Sequence, residues 1–251
     1  SFAVLFNNEG RVDVSEVAKN AVPASAEEVL SEVDGQFVYV TGTVSSDEIL
    51  GDNLFLNEGD YLAVQRTVEM YSWVETTSEQ TESNMGGSET TTTTYDYSTE
   101  WTSNVPDSGS FYDSSYFNPT KAYENESYRV NDAKMGVYNL NFNNLTLPGF
   151  DDLTLNEDVV NLSGDDEELI GGYIYIPYSY SDYSDPEVGD VRVSYQVLKN
   201  NADGTIFAKT NGESLETYYD DSTEVSLYRF FDGGRDQALK KMHGEYQMML
   251  W

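Results

Sequence analysis

Period-two alternation between Gln65 and Trp101 constrains this chain more than any other feature. The first arm, QRTVEMYSWVE, sets Val68, Met70, Ser72 and Val74 against Glu69, Tyr71, Trp73 and Glu75. Side chains that repeat every second residue point to opposite faces of a strand. The second arm, TYDYSTEW, offers Tyr95, Tyr97 and Trp101 in the same extended idiom. Between the arms, Thr76 to Thr93 is Thr, Ser, Glu, Gln, Asn and Gly with Met85 as its single apolar residue. That spacer reads as a solvated hairpin loop around Gly86-Gly87, too long for a tight turn and too polar to be held by burial.

Charge bounds the partners. The 251 residues carry 13 Lys and Arg against 45 Asp and Glu, a net charge of −32. Such a surface repels nucleic acid and anionic lipid. With 20 Tyr and 11 Phe the chain can still build a core, and the aromatic content favours a β-rich fold over disorder. Cysteine is absent and histidine occurs once, at His243, which removes thiolate chemistry, most hydrolase triads and most zinc sites. No catalytic residue is identified.

Other segments fill in the fold. Ser25 followed by Glu28 has capping-box spacing and predicts a helix at 25–32. Strands are expected at Gln36 to Val44, Tyr173 to Tyr178 and Asp190 to Lys199. The last of these joins Gly204 to Lys209 through a short turn ending in Asp-Gly. Asp151 to Gly164 could form one or two helical turns, and Asp232 to Trp251 suits a helix weakened by Gly244. The fold class expected is α+β and β-rich, a mostly antiparallel sheet with a long-tipped hairpin and peripheral helices, including a C-terminal helix. One domain over 1–251 is expected, its apolar edges at 1–6 (SFAVLF) and 246–251 marking where membrane spans begin. Tyr246 and Trp251 would lie near the interface.

Five segments in order carry a resemblance: NEGR (Asn8, Glu9, Gly10, Arg11), RTVEMYSWVE, TTTTYDYSTEW, FNP (Phe117, Asn118, Pro119) and VGDVRVSY with Gly189, Asp190 and Arg192. Together they resemble the transmembrane protein 43 family, also called LUMA, as a prokaryotic or divergent member. The resemblance implies a soluble domain on the extracytoplasmic or lumenal side of a polytopic membrane protein, with one membrane helix ending just before NEGR. It further implies self-association and, in eukaryotes, residence in the endoplasmic reticulum and inner nuclear membrane with contacts to emerin and lamins. The family defines no catalytic residues, so the role implied is a non-enzymatic scaffold with homo-oligomers and protein partners. The match is loosest at 145–185 and 211–240.

Residue chemistry leaves alternatives. Arg66, Glu69, Tyr71, Trp73 and Glu75 could form a recognition face, since Trp, Tyr and Arg dominate binding hot spots. The more economical reading packs Trp73 against Tyr95, Tyr97 or Trp101 across the hairpin and pairs Arg66 with a carboxylate. Asp165-Asp166-Glu167-Glu168, Asp151-Asp152 and Asp220-Asp221 could bind calcium, as a secreted calcium or glycan module would, but no EF-hand spacing exists and acidic runs are usually solvated. No metal or other cofactor is otherwise expected. Asn125, Asn144 and Asn161 are glycosylation acceptors in a secretory lumen. His243, Arg235, Lys240 and Lys241 could touch lipid phosphates or favour the negative end of a helix. A hydrolase using paired carboxylates is the last alternative, and no motif selects the pair.

Overall fold

A computed structural model describes residues 12–83, 86–87, 89–164 and 166–250. The first half contains α1 (Val14–Ala18), β1 (Val22–Ala24), β2 (Phe37–Ser45), β3 (Tyr61–Ser83), β4 (Glu89–Thr102), β5 (Glu126–Arg129), β6 (Asp132–Met135) and β7 (Tyr138–Asn141). The second half contains β8 (Asp151–Asp152), β9 (Glu168–Ile170), β10 (Tyr173–Ile176), β11 (Val191–Lys199), β12 (Ala202–Asn211) and β13 (Ser214–Glu216). It closes with β14 (Tyr218–Asp220), β15 (Val225–Leu227), β16 (Arg229–Asp232) and α2 (Arg235–Met249). The fold is β-rich, mostly antiparallel, with peripheral helices.

One seven-stranded sheet runs β1-β2-β6-β7-β13-β12-β16, and β2 also pairs with β12, so five of its strands close a ring. Alternation along β2 and β12 explains why both faces of this sheet are covered. Val38, Val40, Val44, Ile206 and Ala208 fill the core inside the ring. Phe37 and Phe207, on the opposite face, pack with Phe231 under Val17, Ala18, Ala238 and Met242 of the two helices.

The second sheet runs β4-β3-β11-β10-β9. Its long strands β3 and β11 pair from Val191↔Met70 to Lys199↔Tyr61. Val64, Val68 and Met70 from β3 join Val191, Val193, Tyr195 and Val197 from β11 in a separate core. The two sheets are joined where β11 leads into β12 through Asn200-Asn201. The expected short turn ending in Asp-Gly is instead a corner: β11 and β12 belong to different sheets, and Asp203-Gly204 lie within β12. Asn201 takes the left-handed conformation (φ 58°). The Asn200 side chain accepts from Ser46 N–H at 3.0 Å and donates to Ser46 C=O at 2.7 Å, which ties β2 to the corner.

Three expectations are corrected. The helix at 25–32 is absent apart from a single 3₁₀ turn at Ser31–Val33. Ser25 Oγ accepts from Glu27 N–H instead of capping a helix, and Ala26 C=O accepts from Val137 N–H at 2.9 Å, so tertiary pairing with the β6–β7 turn claims the backbone a helix would need. Residues 151–164 are not helical: Asp151 and Asp152 pair with β11, and Val160 bridges Leu56. Leu153, Leu155, Val159 and Leu162 pack on the second core, a use that extended chain serves better than a helix.

The third correction concerns the spacer at 76–93. It is no open loop: β3 and β4 stay in register from Met70↔Thr102 to Ser83↔Glu89, so Thr76–Ser83 and Glu89–Thr93 form a two-stranded ladder. The expectation weighed apolar burial, whereas backbone hydrogen bonds and cross-strand Thr pairs hold this arm, such as Thr81 Oγ1 to Thr91 Oγ1 at 3.1 Å. Only the tip around Gly86-Gly87 turns the chain, and both glycines have positive φ. Tyr71 N–H and C=O both point toward β11, bonding Asp190 C=O and Gly189 N–H. Even-numbered β3 residues therefore face β4, and even-numbered β4 residues face β3. Amide hydrogen exchange is expected to alternate accordingly, with Thr94, Asp96, Ser98 and Glu100 exchanging about tenfold or more slowly than Thr93, Tyr95, Tyr97 and Thr99. Uniform fast exchange along β4 would contradict the ladder.

Candidate functional site

Arg66 sits on the same strand parity as Val64, Val68 and Met70, so it points into the core and not onto the face carrying Glu69, Tyr71, Trp73 and Glu75. This corrects the single polar-aromatic face expected for these residues. Its Nη1 donates to Asp52 Oδ2 at 2.7 Å, and the side chains of Arg66 and Asp52 are 4% and 0% exposed. Tyr195, directly opposite Arg66 on β11, donates its hydroxyl to the same Oδ2 at 2.6 Å. Asp52 Oδ1 accepts from the backbone N–H groups of Leu54, Phe55 and Leu56. The remaining Arg66 donors reach Glu124 C=O, Tyr128 Oη and Glu126 Oε2. Burial opposes ionisation of Asp52, yet the donors from Tyr195, Leu56, Arg66 and Leu54 outweigh it and hold the carboxyl below its ordinary range. Burial and the same carboxylate push the Tyr195 hydroxyl up.

The opposite face of the sheet gathers the other motif residues at the base of the arm. Glu69 faces Arg192 across the ladder, and Arg192 Nε donates to Glu69 Oε2 at 2.7 Å. The Arg192 guanidinium lies 4.8 Å from the Trp101 ring centroid and 4.4 Å from that of Tyr173, a cation held between aromatic rings. Tyr71 and Trp101 are cross-strand partners with ring centroids 5.3 Å apart. Asp190 is fully buried, and among the described residues no cation pairs with it. Its Oδ2 accepts from Tyr175 Oη and Glu187 N–H, and its Oδ1 from Tyr178 N–H and Ser181 Oγ, which fixes the 177–189 loop. Gly189 has φ +110°, and a Cβ there would meet the Tyr178 ring at 2.7 Å and Pro119 at 3.1 Å, so only glycine fits this crossing.

Asn118 acts as a one-residue substitute for a strand. Its Oδ1 accepts from Trp73 N–H at 2.8 Å, while Nδ2 donates to Trp73 C=O at 2.9 Å and to Pro106 C=O at 3.2 Å. Pairing on this edge of β3 thus passes from Asp190 at Tyr71 to Asn118 at Trp73. The segment that follows β4 then covers the aromatic face. Tyr112 stacks on Tyr95 at 4.2 Å, and Tyr116 stacks on Tyr97 at 3.9 Å and meets Trp73 edge-on at 4.7 Å. Tyr97 Oη donates to Glu75 Oε2 at 2.6 Å. Trp73 therefore does not pack on Tyr95, Tyr97 or Trp101 as expected: its cross-strand neighbour is Thr99, and its ring partner comes from the irregular 102–119 segment.

A family model described as transmembrane protein 43 matches residues 70–251. The chain belongs to the transmembrane protein 43 family. Mouse transmembrane protein 43 is 27% identical over 278 residues, covering all of this chain and 66% of the relative. The human protein is 27% identical over 253 residues, covering 90% of this chain and 60% of the relative. The Drosophila melanogaster homolog is 30% identical over 261 residues, covering 92% of this chain and 62% of the relative. The chain thus spans less than two thirds of the length of these relatives. No solved structure matches it.

Within this family member, the fold brings Glu69, Tyr71, Trp73, Trp101, Asn118, Pro119, Gly189, Asp190 and Arg192 together, with Glu75, Tyr95 and Tyr97 just beyond them on the arm and Arg66 on the reverse face. Asn8, Glu9, Gly10 and Arg11 lie outside the described residues. Asp52, Tyr175 and the Tyr112–Tyr116 cover lie outside the motifs, whereas Tyr195 ends VGDVRVSY without being singled out as a site residue. A signal for Asp52 existed, since an arginine at a core parity position demands an acid. Among the described residues every carboxylate whose pKa is displaced is lowered: Asp13, Glu48, Asp52, Asp113, Asp182 and Asp220. Among the described residues no group of three or more acidic or histidine side chains could hold a metal ion. The arrangement is built to fix backbone segments.

Replacing Asn118 by Ala strands Trp73 and Pro106 backbone groups and is expected to cost about 1–3 kcal/mol in urea unfolding; no change would show that Asn118 is dispensable. Because Asp52 is depressed from 3.8 in the folded state, its ionised form stabilises the fold above that pH, and the contribution is lost as pH falls through the lower folded value. D52N is expected to flatten the acid limb of stability against pH, and an unchanged limb would contradict the assignment.

Proposed function

We propose that this chain is the extracytoplasmic domain of a polytopic membrane protein and acts as a non-enzymatic scaffold, organising the membrane plane through self-association and partner binding. Membership of a transmembrane family supports the membrane association. Among the described residues no helix is long and apolar enough to cross a membrane, so in this reading the anchors flank the domain.

One observation carries the proposal: both ends of the described chain meet. Asp13, which caps α1, pairs through Oδ2 with His243 Nδ1 of α2 at 2.7 Å. Arg235 reaches Lys19 C=O at 3.3 Å, and its guanidinium lies 5.0 Å from the Tyr39 ring centroid. A domain entered and left at one place can hang from one membrane face while its far surfaces stay free. The exposed Met248 and Met249 at the end of α2, with Tyr246 beside them, suit an approach to that face. The arm then offers a projecting element for contacts between proteins.

This domain itself contains no cysteine to label. In full-length protein whose sole cysteine is the one introduced at Thr92, a membrane-impermeant maleimide is expected to label from the extracytoplasmic side. Light scattering in detergent is expected to give more than one copy per particle. Cytosolic labelling or a strictly monomeric mass would overturn the proposal.

A further inference from the structure

The arm formed by β3 and β4 leaves a long strand edge open. Parity set at Tyr71 directs the backbone groups of Thr91, Thr93, Tyr95, Tyr97 and Thr99 away from β3, and among the described residues no backbone hydrogen bond joins them to another segment. Fourteen residues of β4 run without a bulge, a proline or a lysine. Those are among the usual devices that keep an edge from pairing, and the charges that β4 does carry, Glu89, Asp96 and Glu100, are all acidic. By contrast, the edge of β3 is closed at Trp73 by the Asn118 carboxamide. The β-branched run Thr90–Thr94 is itself well suited to extended pairing.

Charge selects the occupant. No lysine or arginine occurs between Arg66 and Lys121, whereas the arm carries Glu75, Glu79, Glu82, Glu89, Asp96 and Glu100. A second copy would bring the same anions and a net charge of −32 to the edge. An extended segment with alternating basic residues would neutralise them while its backbone completes the ladder.

We infer that β4 is a docking edge to which a lysine- or arginine-rich extended segment of a partner protein adds as a further strand. This deepens the partner-binding role proposed above and rests on it. Main-chain hydrogen bonds from Thr91, Thr93, Tyr95 and Tyr97 supply the register, and the acids of the arm supply the preference for cations.

The test uses full-length protein in detergent and a labelled twelve-residue peptide alternating lysine and threonine. A control peptide of the same sequence carries N-methyl groups on alternate amides, which keeps its charge and removes its strand-pairing donors. The protein variant is Thr93→Pro, which deletes an outward N–H and spares the even-numbered ladder to β3. Fluorescence anisotropy is expected to show binding of the parent peptide, weakened at least about tenfold by N-methylation and by T93P. Hydrogen exchange at Thr94, Asp96 and Ser98 verifies that the arm of the variant remains paired; if it does not, the N-methylated peptide decides alone. Equal binding of both peptides, or no binding, would overturn the inference, leaving only charge attraction or nothing at the edge. Loss of self-association in T93P without added peptide would also overturn it, because the edge would then belong to a second copy. The particle mass of the unmodified protein separately reports on the scaffold role: an oligomer that ignores the peptide refutes the docking edge alone, and a monomer that binds the peptide refutes self-association alone.

Discussion

The buried contact among Asp52, Arg66 and Tyr195 is the constraint on which the second sheet depends. It joins the 50–59 turn to β3 and β11 from within the core, where both charged side chains are almost wholly shielded from water. Removing two charges from water costs several kcal/mol per ion unless their remaining hydrogen-bonding capacity is filled. Here it is filled: three backbone amides bind Asp52 Oδ1, and Glu124, Glu126 and Tyr128 engage the rest of the Arg66 guanidinium. The contact also fixes register, because a one-residue slip of β3 would send Arg66 to the outer face and Tyr71 into the core.

With register fixed, the outer face follows. Glu69 meets Arg192, Tyr71 meets Trp101, and Trp73 presents its backbone to Asn118. Side-chain groups that imitate backbone recur through the structure. Asn118 brackets Trp73, Asn200 brackets Ser46, and Asp190 gathers Tyr178 and Glu187 amides. Each closes an edge or a loop where no strand is available, which explains why the conspicuous sequence motifs are FNP and GDVRVSY and yet hold no reactive group. In a member of the transmembrane protein 43 family, such motifs describe a stiff platform, and the open edge of β4 stands out against it.

Much of this was legible in the sequence where alternation was strong. The strands at 37–45 and 191–199 and the C-terminal helix appear close to their expected bounds, and the alternating arm at 65–75 lies within the longer β3. The failures have local causes. Ser25 and Glu28 match a capping box, but the Ala26 backbone is taken by the β6–β7 turn. The Thr-rich spacer lacks apolar residues, yet a hairpin ladder needs only backbone pairing and β-branched neighbours. The expected face groups Arg66 with Glu69 and Tyr71 although its even number matches Val68 and Met70, while its expected pairing with a carboxylate is met by Asp52. The rings that cover Trp73 and Tyr97 come from a segment without periodicity, where Tyr112 and Tyr116 carried no pattern to mark them.

A scaffold needs a projecting element whose position is fixed relative to its anchor. In the proposed scaffold the Asp13–His243 contact would lie on the anchor side and the β3–β4 arm would project, with the buried ion pair holding β3 in place at the arm's root. The most direct measurement is a double-mutant cycle on Asp52 and Arg66, using D52N, R66M and the double variant in urea unfolding. Each single substitution is expected to cost about 3–5 kcal/mol, with the double variant recovering a coupling of roughly 2 kcal/mol or more relative to the sum. Additive losses, with coupling near zero, would contradict the account.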